Sequence, residues 1–323
     1  MKNPFIIILI FLTLFVSCND QLSIPVDFSF TATAENSTVN GDTLIVDKAV
    51  PVTFTFDGNA EFITFYSGET GHEFDKRELT QTPVGDVDSC YLTFTNKPQF
   101  GNIPGTLNFY LSTSYEGLKM TDKKADSLAV LTHNWINLSD SCNLSVTNNT
   151  TNTSKVSLKS YVSSRITLAI RYKTTDNSAI QPTWQIGNLK IVVRDKKGAV
   201  TTLSANDLGF SALDLFAITN PYSTAGGTGI WDLSGVAATS PLIKIIFSGA
   251  GQPLNDDWLV STPKLATTRI PDTGVAVKSI ATTVKTYQYA FNKPGVYKVG
   301  FHAMNDNYEY RSETGMTRII KVK

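Results

Sequence analysis

Short runs in which apolar residues alternate with hydroxyl or other polar residues recur along almost the whole chain. Residues 52–56 (VTFTF) show this pattern, and residues 297–303 repeat it near the other end. A period of two places the apolar side chains on one face of a strand, so each run predicts a half-buried β-strand. Further runs of strand length occupy residues 92–94, 107–111, 166–172, 189–193 and 242–247. Turn residues separate the runs, and the chain is therefore predicted to be all-β, mostly antiparallel and arranged in sandwiches.

Helix signals are sparse. Residues 125–131 and 205–216 are the two stretches that favour a short helix. Beyond the N-terminal segment, no stretch is long and apolar enough to be predicted to cross a bilayer as a helix.

The first eighteen residues have the form of a secretory signal. Lys2 supplies a positive charge, residues 5–16 are almost continuously apolar, and Ser17 directly precedes Cys18. The apolar run is too short to span a bilayer as a stable helix. The segment resembles the lipobox of bacterial lipoproteins, whose cysteine thiol is diacylated, although Phe15 replaces the usual leucine. The resemblance implies that Cys18 is lipidated and anchors the chain, because two acyl chains suffice for stable anchoring. A plain transmembrane anchor is the alternative.

Charge and cysteine content narrow the classes of function. The chain has 28 Lys and Arg against 28 Asp and Glu, so its net charge is zero. A neutral chain lacks the basic surface of a nucleic-acid-binding protein, so this protein is not expected to bind nucleic acid. Cys90 and Cys142 remain after Cys18, and they either form a disulfide in an oxidising compartment or stay as two buried thiols. The three histidines have no metal-binding spacing, which argues against a zinc site.

The two ends of the chain look like parts of one domain. Residues 26–74 resemble the first strands of an immunoglobulin-like domain of the polycystic-kidney type. Residues 287–303, with the turn Pro294-Gly295, and residues 317–322 resemble the closing strands of such a domain. The interpretation is a discontinuous sandwich of residues 24–80 and 275–323 that holds residues 85–270 as an insert. Two or three domains in series are the alternative.

The middle of the chain carries a second resemblance. Residues 105–117, 135–138, 166–172 and 184–191 occur in an order similar to that of galactose-binding-like jelly-roll modules. The expected fold is therefore an immunoglobulin-like sandwich with an inserted jelly-roll β-sandwich. Together with residues 65–69, the whole chain resembles a lipoprotein family of gut Bacteroidetes. Its members often accompany outer-membrane glycan importers of the starch-utilisation-system type.

That family resemblance implies a place and a partner. It implies an outer-membrane lipoprotein that faces the cell surface or the periplasm, binds an oligo- or polysaccharide and works beside an importer complex. It brings no catalytic residues with it. The expected function is non-catalytic glycan binding in polysaccharide capture. A structural or adhesive surface protein is the alternative, followed by a glycoside hydrolase.

Catalytic signals are weak throughout the sequence. No Gly-x-Ser-x-Gly motif is present, and the glycine-rich residues 225–229 lack the strand and helix context of a phosphate loop. Carboxylates cluster at Glu69, Glu73, Asp75 and Glu78, and again at Asp256 and Asp257. Sequence alone cannot give the separation that glycoside hydrolysis requires, and solvated loop acids are the commoner case. No cofactor is predicted, although loops rich in acidic and amide side chains could bind a structural calcium ion.

Aromatic residues in loops are better candidates for a sugar site. An aromatic face covers the apolar face of a pyranose, while amides and carboxylates bind its hydroxyls. Trp135 and Trp184 are expected in or near the core. Loop placement predicts exposure for Trp231, and for Trp258 it predicts either exposure or a plug at the domain junction. The candidate glycan-binding residues are Tyr222, Trp231, Asp256, Asp257 and Trp258.

Two short segments are similar to the acceptor motif of Bacteroidetes O-glycosylation. They are Asp42-Thr43-Leu44 and Asp126-Ser127-Leu128, which makes Thr43 and Ser127 the candidate acceptors. So short a pattern also arises often by chance.

Overall fold

A computed structural model of the chain describes residues 24–101, 104–246 and 248–323. Its strands, in chain order, are β1 (Phe28–Ala34), β2 (Thr38–Asn40), β3 (Thr43–Val46), β4 (Pro51–Gly58), β5 (Phe62–Tyr66), β6 (Val87–Gln99), β7 (Leu107–Ser112), β8 (Ile136–Asn137), β9 (Asn152–Ser157), β10 (Arg165–Lys173), β11 (Thr183–Asp195), β12 (Val200–Ser204), β13 (Ser211–Asp214), β14 (Trp231–Gly235), β15 (Leu242–Ile245), β16 (Asp256–Val260), β17 (Lys264–Leu265), β18 (Val275–Lys278), β19 (Thr286–Ala290), β20 (Gly295–Asp306) and β21 (Arg311–Val322). The helices are α1 (Lys123–Thr132) and α2 (Ala205–Leu208), with short 3-10 turns at Phe74–Lys76, Val84–Asp86, Ser139–Ser141 and Lys159–Tyr161. The predicted all-β class is confirmed.

The two predicted helices have different outcomes. The one expected at residues 125–131 is confirmed as α1, and the Asp122 carboxylate caps it by accepting hydrogen bonds from the first backbone N–H groups. The one expected at residues 205–216 is wrong beyond its first turn. Gly209 adopts a left-handed φ of 60°, which ends α2, and the chain continues as strand β13.

The described residues divide into two compact units. The first comprises residues 24–79 and 271–323, and the second comprises residues 80–270. The first unit therefore contains both ends of the described chain, and the second is continuous in sequence.

In the first unit, a three-stranded sheet (β1-β4-β19) packs on a six-stranded sheet (β18-β5-β20-β21-β3-β2). Strands from the two chain segments pair directly, β20 antiparallel with β5 and β21 parallel with β3. The ring of Phe301 on β20 lies within 4.7 to 5.2 Å, between centroids, of Phe30, Phe54, Phe56 and Phe65. Side chains from both segments thus share one aromatic core.

The second unit is a sandwich of two larger sheets. One has the order β13-β16-β10-β7-β8, with β17 also paired to β10. The other has the order β14-β15-β11-β6-β9, with β12 paired to β11. Alternate residues of the long strands face the space between the sheets, as the burial pattern of β6 shows. They form the main core, to which Phe94, Phe109, Trp184 and Ile191 belong.

The first of these sheets is also covered on its outer face. Helix α1 and the loops around it pack there, and Val130, Leu213, Trp258 and Val260 form a second, smaller apolar cluster. Because both faces of the sheet are covered, the inner strand β16 is buried at all five of its residues.

Trp184 provides a test of the main core. Its side chain is 1% exposed and its indole N–H donates to the Thr106 hydroxyl at 3.0 Å, as expected for a core tryptophan. We expect Trp184→Ala to lower the free energy of unfolding by about 3–5 kcal/mol, because it removes a large buried ring and leaves a cavity. Phe216→Ala in the same unit is the control and should change stability by about 0.5 kcal/mol or less, since Phe216 is 59% exposed. Urea denaturation followed by far-UV circular dichroism measures both, and equal losses would contradict the assignment.

Candidate functional site

Strand β16 supplies different side chains to the two faces of its sheet. Leu259 belongs to the main core, so Asp257, two residues earlier, faces the space between the sheets. Trp258 belongs to the smaller cluster on the outer face, and Asp256 points the same way. Adjacent acids of one strand therefore lie in separate environments.

A cavity of about 200 Å³ lies between the sheets, beside Asp257. Strands β13 and β16 contribute Asp214 and Asp257, while Trp231 enters from β14 of the opposite sheet. The polypeptide between β13 and β14 forms the remaining wall. The polar lining consists of Asp214, Thr219, Asn220, Ser223, Trp231 and Asp257.

Two buried polar atoms of this lining have no hydrogen-bond partner among the described residues. They are the indole Nε1 of Trp231 and the carboxyl Oδ2 of Asp257. Each of these side chains is only 1% exposed. A buried polar group left without a partner is destabilising by about 1–3 kcal/mol, so both groups are suited to a bound polar molecule.

The two acids of the cavity lie side by side. Asp214 and Asp257 are direct register partners on the antiparallel strands β13 and β16, which brings their Cβ atoms within about 4.5–5.5 Å. The Oδ1 atom of Asp214 accepts hydrogen bonds from the backbone N–H groups of Phe216 and Ala217, at 2.7 and 2.9 Å. Burial, and then the neighbouring carboxyls of Asp214 and Asp256, raise the pKa of Asp257 to about 9. At neutral pH the cavity therefore presents a protonated Asp257, which can donate as well as accept.

Residues 215–230, the loop between β13 and β14, form the cavity loop. Hydrogen bonds from and to helix α1 hold this loop in place. Tyr222 donates its hydroxyl hydrogen to Oδ2 of Asp126 at 2.9 Å, and the Lys123 ammonium donates to the carbonyl of Ala217. The Asp126 carboxylate also accepts from the backbone N–H groups of Lys119 and Met120. These bonds hold the wall of the cavity without using the polar side chains that line it.

The glycine residues of segment 225–229, just before β14, are explained by the backbone conformation and close packing there. At Gly229, φ is +71° and a Cβ atom would lie 2.3 Å from Oδ1 of Asn255. Only glycine fits there, and the segment returns the chain to β14 so that Trp231 enters the core.

On the outer face of the same sheet, the carboxyl of Asp256 is paired, whereas the indole Nε1 of Trp258 has no partner among the described residues. Arg171 donates two hydrogen bonds to the two carboxyl oxygens of Asp256, at 2.7 and 2.6 Å. Its guanidinium lies 5.0 Å from the Trp258 ring centroid, and Trp258 stacks on Tyr110 at 5.5 Å. A bidentate pair of this kind, packed against aromatic rings, accounts for Asp256 and Trp258 as structural residues.

A serine–histidine contact also lies on that face. Oγ of Ser112 is 2.7 Å from Nε2 of His133, and it accepts hydrogen bonds from the backbone N–H groups of Ser114 and Tyr115. Ser112 is 2% exposed, and in the described part of the chain no carboxyl contacts the His133 ring. A catalytic triad needs an accessible nucleophile and a group that orients the base, so this contact holds a turn.

The structure corrects the exposure predicted for the candidate aromatics. Trp231 and Trp258 are 1% and 2% exposed, so neither ring is a platform for a sugar face, and Trp231→Ala is expected to destabilise the fold. Both residues lie on strands, β14 and β16, where they pack into the cores, whereas the sequence placed them in loops. The Tyr222 hydroxyl is committed to Asp126. Of the five candidates, the structure brings Trp231 and Asp257 together in the cavity.

Sequence reasoning missed four polar residues of the cavity lining, Asp214, Thr219, Asn220 and Ser223. Asp214 ends a strand in a stretch that was predicted to be helical, and it meets Asp257 only through strand pairing. Residues 219–223 include Asn and Pro, which favour a loop, but composition does not show where that loop lies in the fold.

The remaining candidate residues lie elsewhere. Cys18 is outside the described residues. Cys90 and Cys142 are free thiols in the structure, so no disulfide joins them, and burial raises their pKa values to about 11 and 12. Thr43 is half-buried on β3 and Ser127 is half-buried on α1, where the preceding Asp126 is buried.

The acids of residues 69–78 are engaged locally. Glu73 pairs with Lys76, Asp75 with Lys298 and Glu78 with Arg77, while Glu69 accepts from Tyr289. Within the described ranges, no three His, Cys, Asp or Glu side chains come together as a metal site.

Comparison with protein families identifies the chain's relatives. Residues 17–210 match the family described as "Domain of unknown function (DUF5017)", and because the match covers more than half of the sequence, the chain belongs to this family. Comparison with curated proteins gave no match. No helix of the described chain is both long and apolar enough to cross a membrane.

The Asp257 carboxyl gives a pH-dependent prediction. The unfolded carboxyl releases its proton near pH ~4, whereas the native one keeps it to about pH 9, so the native state binds more protons between these values. The contribution of Asp257 to the free energy of unfolding is therefore greatest below pH ~4 and falls as the pH rises to about 9. We expect Asp257→Asn to flatten this dependence, with the exposed Asp88→Asn as control. Urea titrations at pH 5, 7 and 9 test it, and parallel profiles for wild type and Asp257→Asn would contradict it.

Proposed function

We propose that this member of the family is a membrane-anchored extracytoplasmic lipoprotein. It binds glycan in the cavity of its second unit and does not catalyse a reaction on it. The observation that carries the proposal is that Trp231 and Asp257 line one cavity from opposite sheets, and that each has a buried polar atom, Nε1 and Oδ2, without a partner among the described residues. A binding site needs convergent polar groups that are not already satisfied by the protein.

The chemistry of the lining suits hydroxyl-rich ligands. Trp231 supplies a donor only, while the amide of Asn220 and the hydroxyl of Ser223 supply both donors and acceptors. A sugar hydroxyl both donates and accepts, so it can satisfy mixed groups of this kind. An apolar molecule would leave them unpaired, which is unfavourable.

The cavity loop also offers exposed apolar side chains. Phe216 is 59% exposed and Ile218 is 99% exposed, on either side of the cavity-lining Ala217. Phe216, which sequence reasoning did not select, supports glycan binding as an aromatic face outside the cavity for further sugar units.

The proposed setting rests on the sequence. A lipid on Cys18 would tether the protein to the outer membrane, at the surface or facing the periplasm, beside a glycan importer. On this proposal the first unit is an immunoglobulin-like spacer and the second a galactose-binding-like jelly roll. A purely structural or adhesive role is the alternative if no glycan binds.

Glycoside hydrolysis is a second candidate, favoured by one observation. Asp214 and Asp257 are adjacent carboxyls in one cavity, and the pKa of Asp257 is raised to about 9. A protonated acid beside a second carboxyl is the arrangement that glycosidases use. Release of reducing sugar from the bound polysaccharide, lost in Asp257→Asn, would distinguish hydrolysis from capture.

Binding is tested by a matched pair of tryptophan variants. Trp231→Phe removes the unpaired indole N–H of a cavity-lining residue, whereas Trp258→Phe removes an equally buried, unpaired indole N–H on the outer face. We expect Trp231→Phe to weaken affinity about fivefold, corresponding to one hydrogen bond of about 1 kcal/mol, and Trp258→Phe to leave it unchanged.

The measurement is affinity electrophoresis of the lipid-free protein in gels that contain a panel of soluble polysaccharides. Binding that both variants weaken equally would place the site elsewhere. Absence of retardation by every polysaccharide would make the structural role the better proposal.

The anchor is tested separately. Cys18→Ala removes the proposed lipid attachment site, so the variant should lose a metabolically incorporated palmitate label and leave the membrane fraction. Persistence of the variant in membranes after a high-salt wash would contradict lipidation at Cys18 and favour a transmembrane anchor.

A further inference from the structure

The volume of the cavity limits the size of its ligand. At about 200 Å³ it is smaller than the roughly 300–1,000 Å³ typical of sites for drug-sized molecules. It exceeds a cavity of about 150 Å³, which takes a benzene ring. One six-membered ring with its hydroxyl groups fits this range, so a polysaccharide would place a single unit inside.

The charges around the cavity limit the chemistry of that ligand. Two carboxyls, Asp214 and Asp257, line it, and no lysine or arginine does so among the described residues. The nearby ammonium of Lys123 donates to the backbone carbonyl of Ala217. An acidic sugar would bring a carboxylate beside Asp214 with no cation to pair with it, and like charges brought together at a buried site oppose binding.

The surroundings of Asp257 explain how it can face a neutral ligand. Asp214 lies beside it on β13, Tyr172 is its register partner on β10, and Asp256 precedes it on β16. Arg171 is bound to Asp256 on the outer face, and no other cation among the described residues compensates a charge on Asp257. Burial and these acids raise the pKa of Asp257 to about 9, while burial and Asp257 raise that of Tyr172. Asp257 therefore lines the cavity as an uncharged acid at neutral pH. Tyr172, whose hydroxyl donates to the Pro182 carbonyl at 2.7 Å, adds no charge beside it.

We propose that the cavity is selective for a single uncharged sugar unit and excludes sugars that carry a carboxylate, an inference that rests on the proposed glycan-binding function. Asp214 acts as the discriminating group through its position beside Asp257. The Asp257 carboxyl and the Trp231 indole hold the ring hydroxyls.

The test uses monosaccharide pairs that differ only at one carbon. The methyl glycosides of glucose, galactose and mannose are titrated into the full lipid-free protein at pH 6.5. Each is compared with the methyl glycoside of its uronic acid, and binding is followed by saturation-transfer NMR and by calorimetry. At least one neutral glycoside should bind, at least tenfold more tightly than its uronic acid. Asp214→Asn should narrow that ratio, whereas Trp258→Phe on the outer face should preserve it.

A pH series gives an independent readout on the wild type. Affinity for the neutral glycoside should fall as the pH rises from 8 to 10, because Asp257 then loses the proton that it donates. Circular dichroism at each pH confirms that the protein remains folded.

The outcomes separate the two proposals. Equal binding of a neutral glycoside and its uronic acid, or preference for the uronic acid, overturns the selectivity and leaves glycan binding in place. Neutral-sugar affinity that stays constant to pH 10 overturns the role of Asp257 in that selectivity. Failure of every neutral and acidic glycoside to bind overturns both proposals. The wild-type comparison is decisive even if a variant fails to fold.

Discussion

The register between strands β13 and β16 is the constraint on which the cavity depends. It sets Asp214 opposite Asp257 and turns both toward the space between the sheets, where β14 presents Trp231. A shift of one residue would move Asp257 to the outer face and bring Trp258 inward. The apolar residues that flank these acids, Leu213 and Leu259, resist such a shift because they are fully buried on opposite faces.

The two faces of this sheet differ in whether their buried carboxyls are paired. On the outer face, Asp256 is bound by Arg171 through two hydrogen bonds, and Asp126 accepts from Tyr222 and two backbone groups. In the cavity, the comparable atoms of Asp257 and Trp231 lack partners within the described chain. The fold thus pairs buried carboxyls a short distance away, which makes the unpaired carboxyl oxygen of Asp257 informative. An unpaired indole N–H is less so, because Trp258 on the outer face has one as well.

Much of the class of this fold follows from the sequence, because alternation reports which strand face is buried. The runs at residues 52–56, 107–111 and 166–172 are strands β4, β7 and β10. The position of Trp231 does not follow, since a tryptophan after a glycine-rich segment reads as part of a loop until its pairing with β15 is known. The pairing of Asp214 with Asp257 is equally hard to predict from the sequence, because the two residues are distant along the chain and only strand pairing brings them together.

The first unit is assembled from both ends of the described chain, and this constrains the order in which the protein can fold. Strands β1–β5 are synthesised long before β18–β21. Their aromatic side chains therefore cannot complete the core until Phe301 has been synthesised. The second unit is continuous and can complete its core earlier, after which the bridge between Gln81 and Thr268 keeps its ends together. A folded insert shortens the effective loop that must close, which lowers the entropic barrier to joining the segments. Until that closure, the N-terminal strands are the part of the nascent chain most exposed to aggregation and proteolysis.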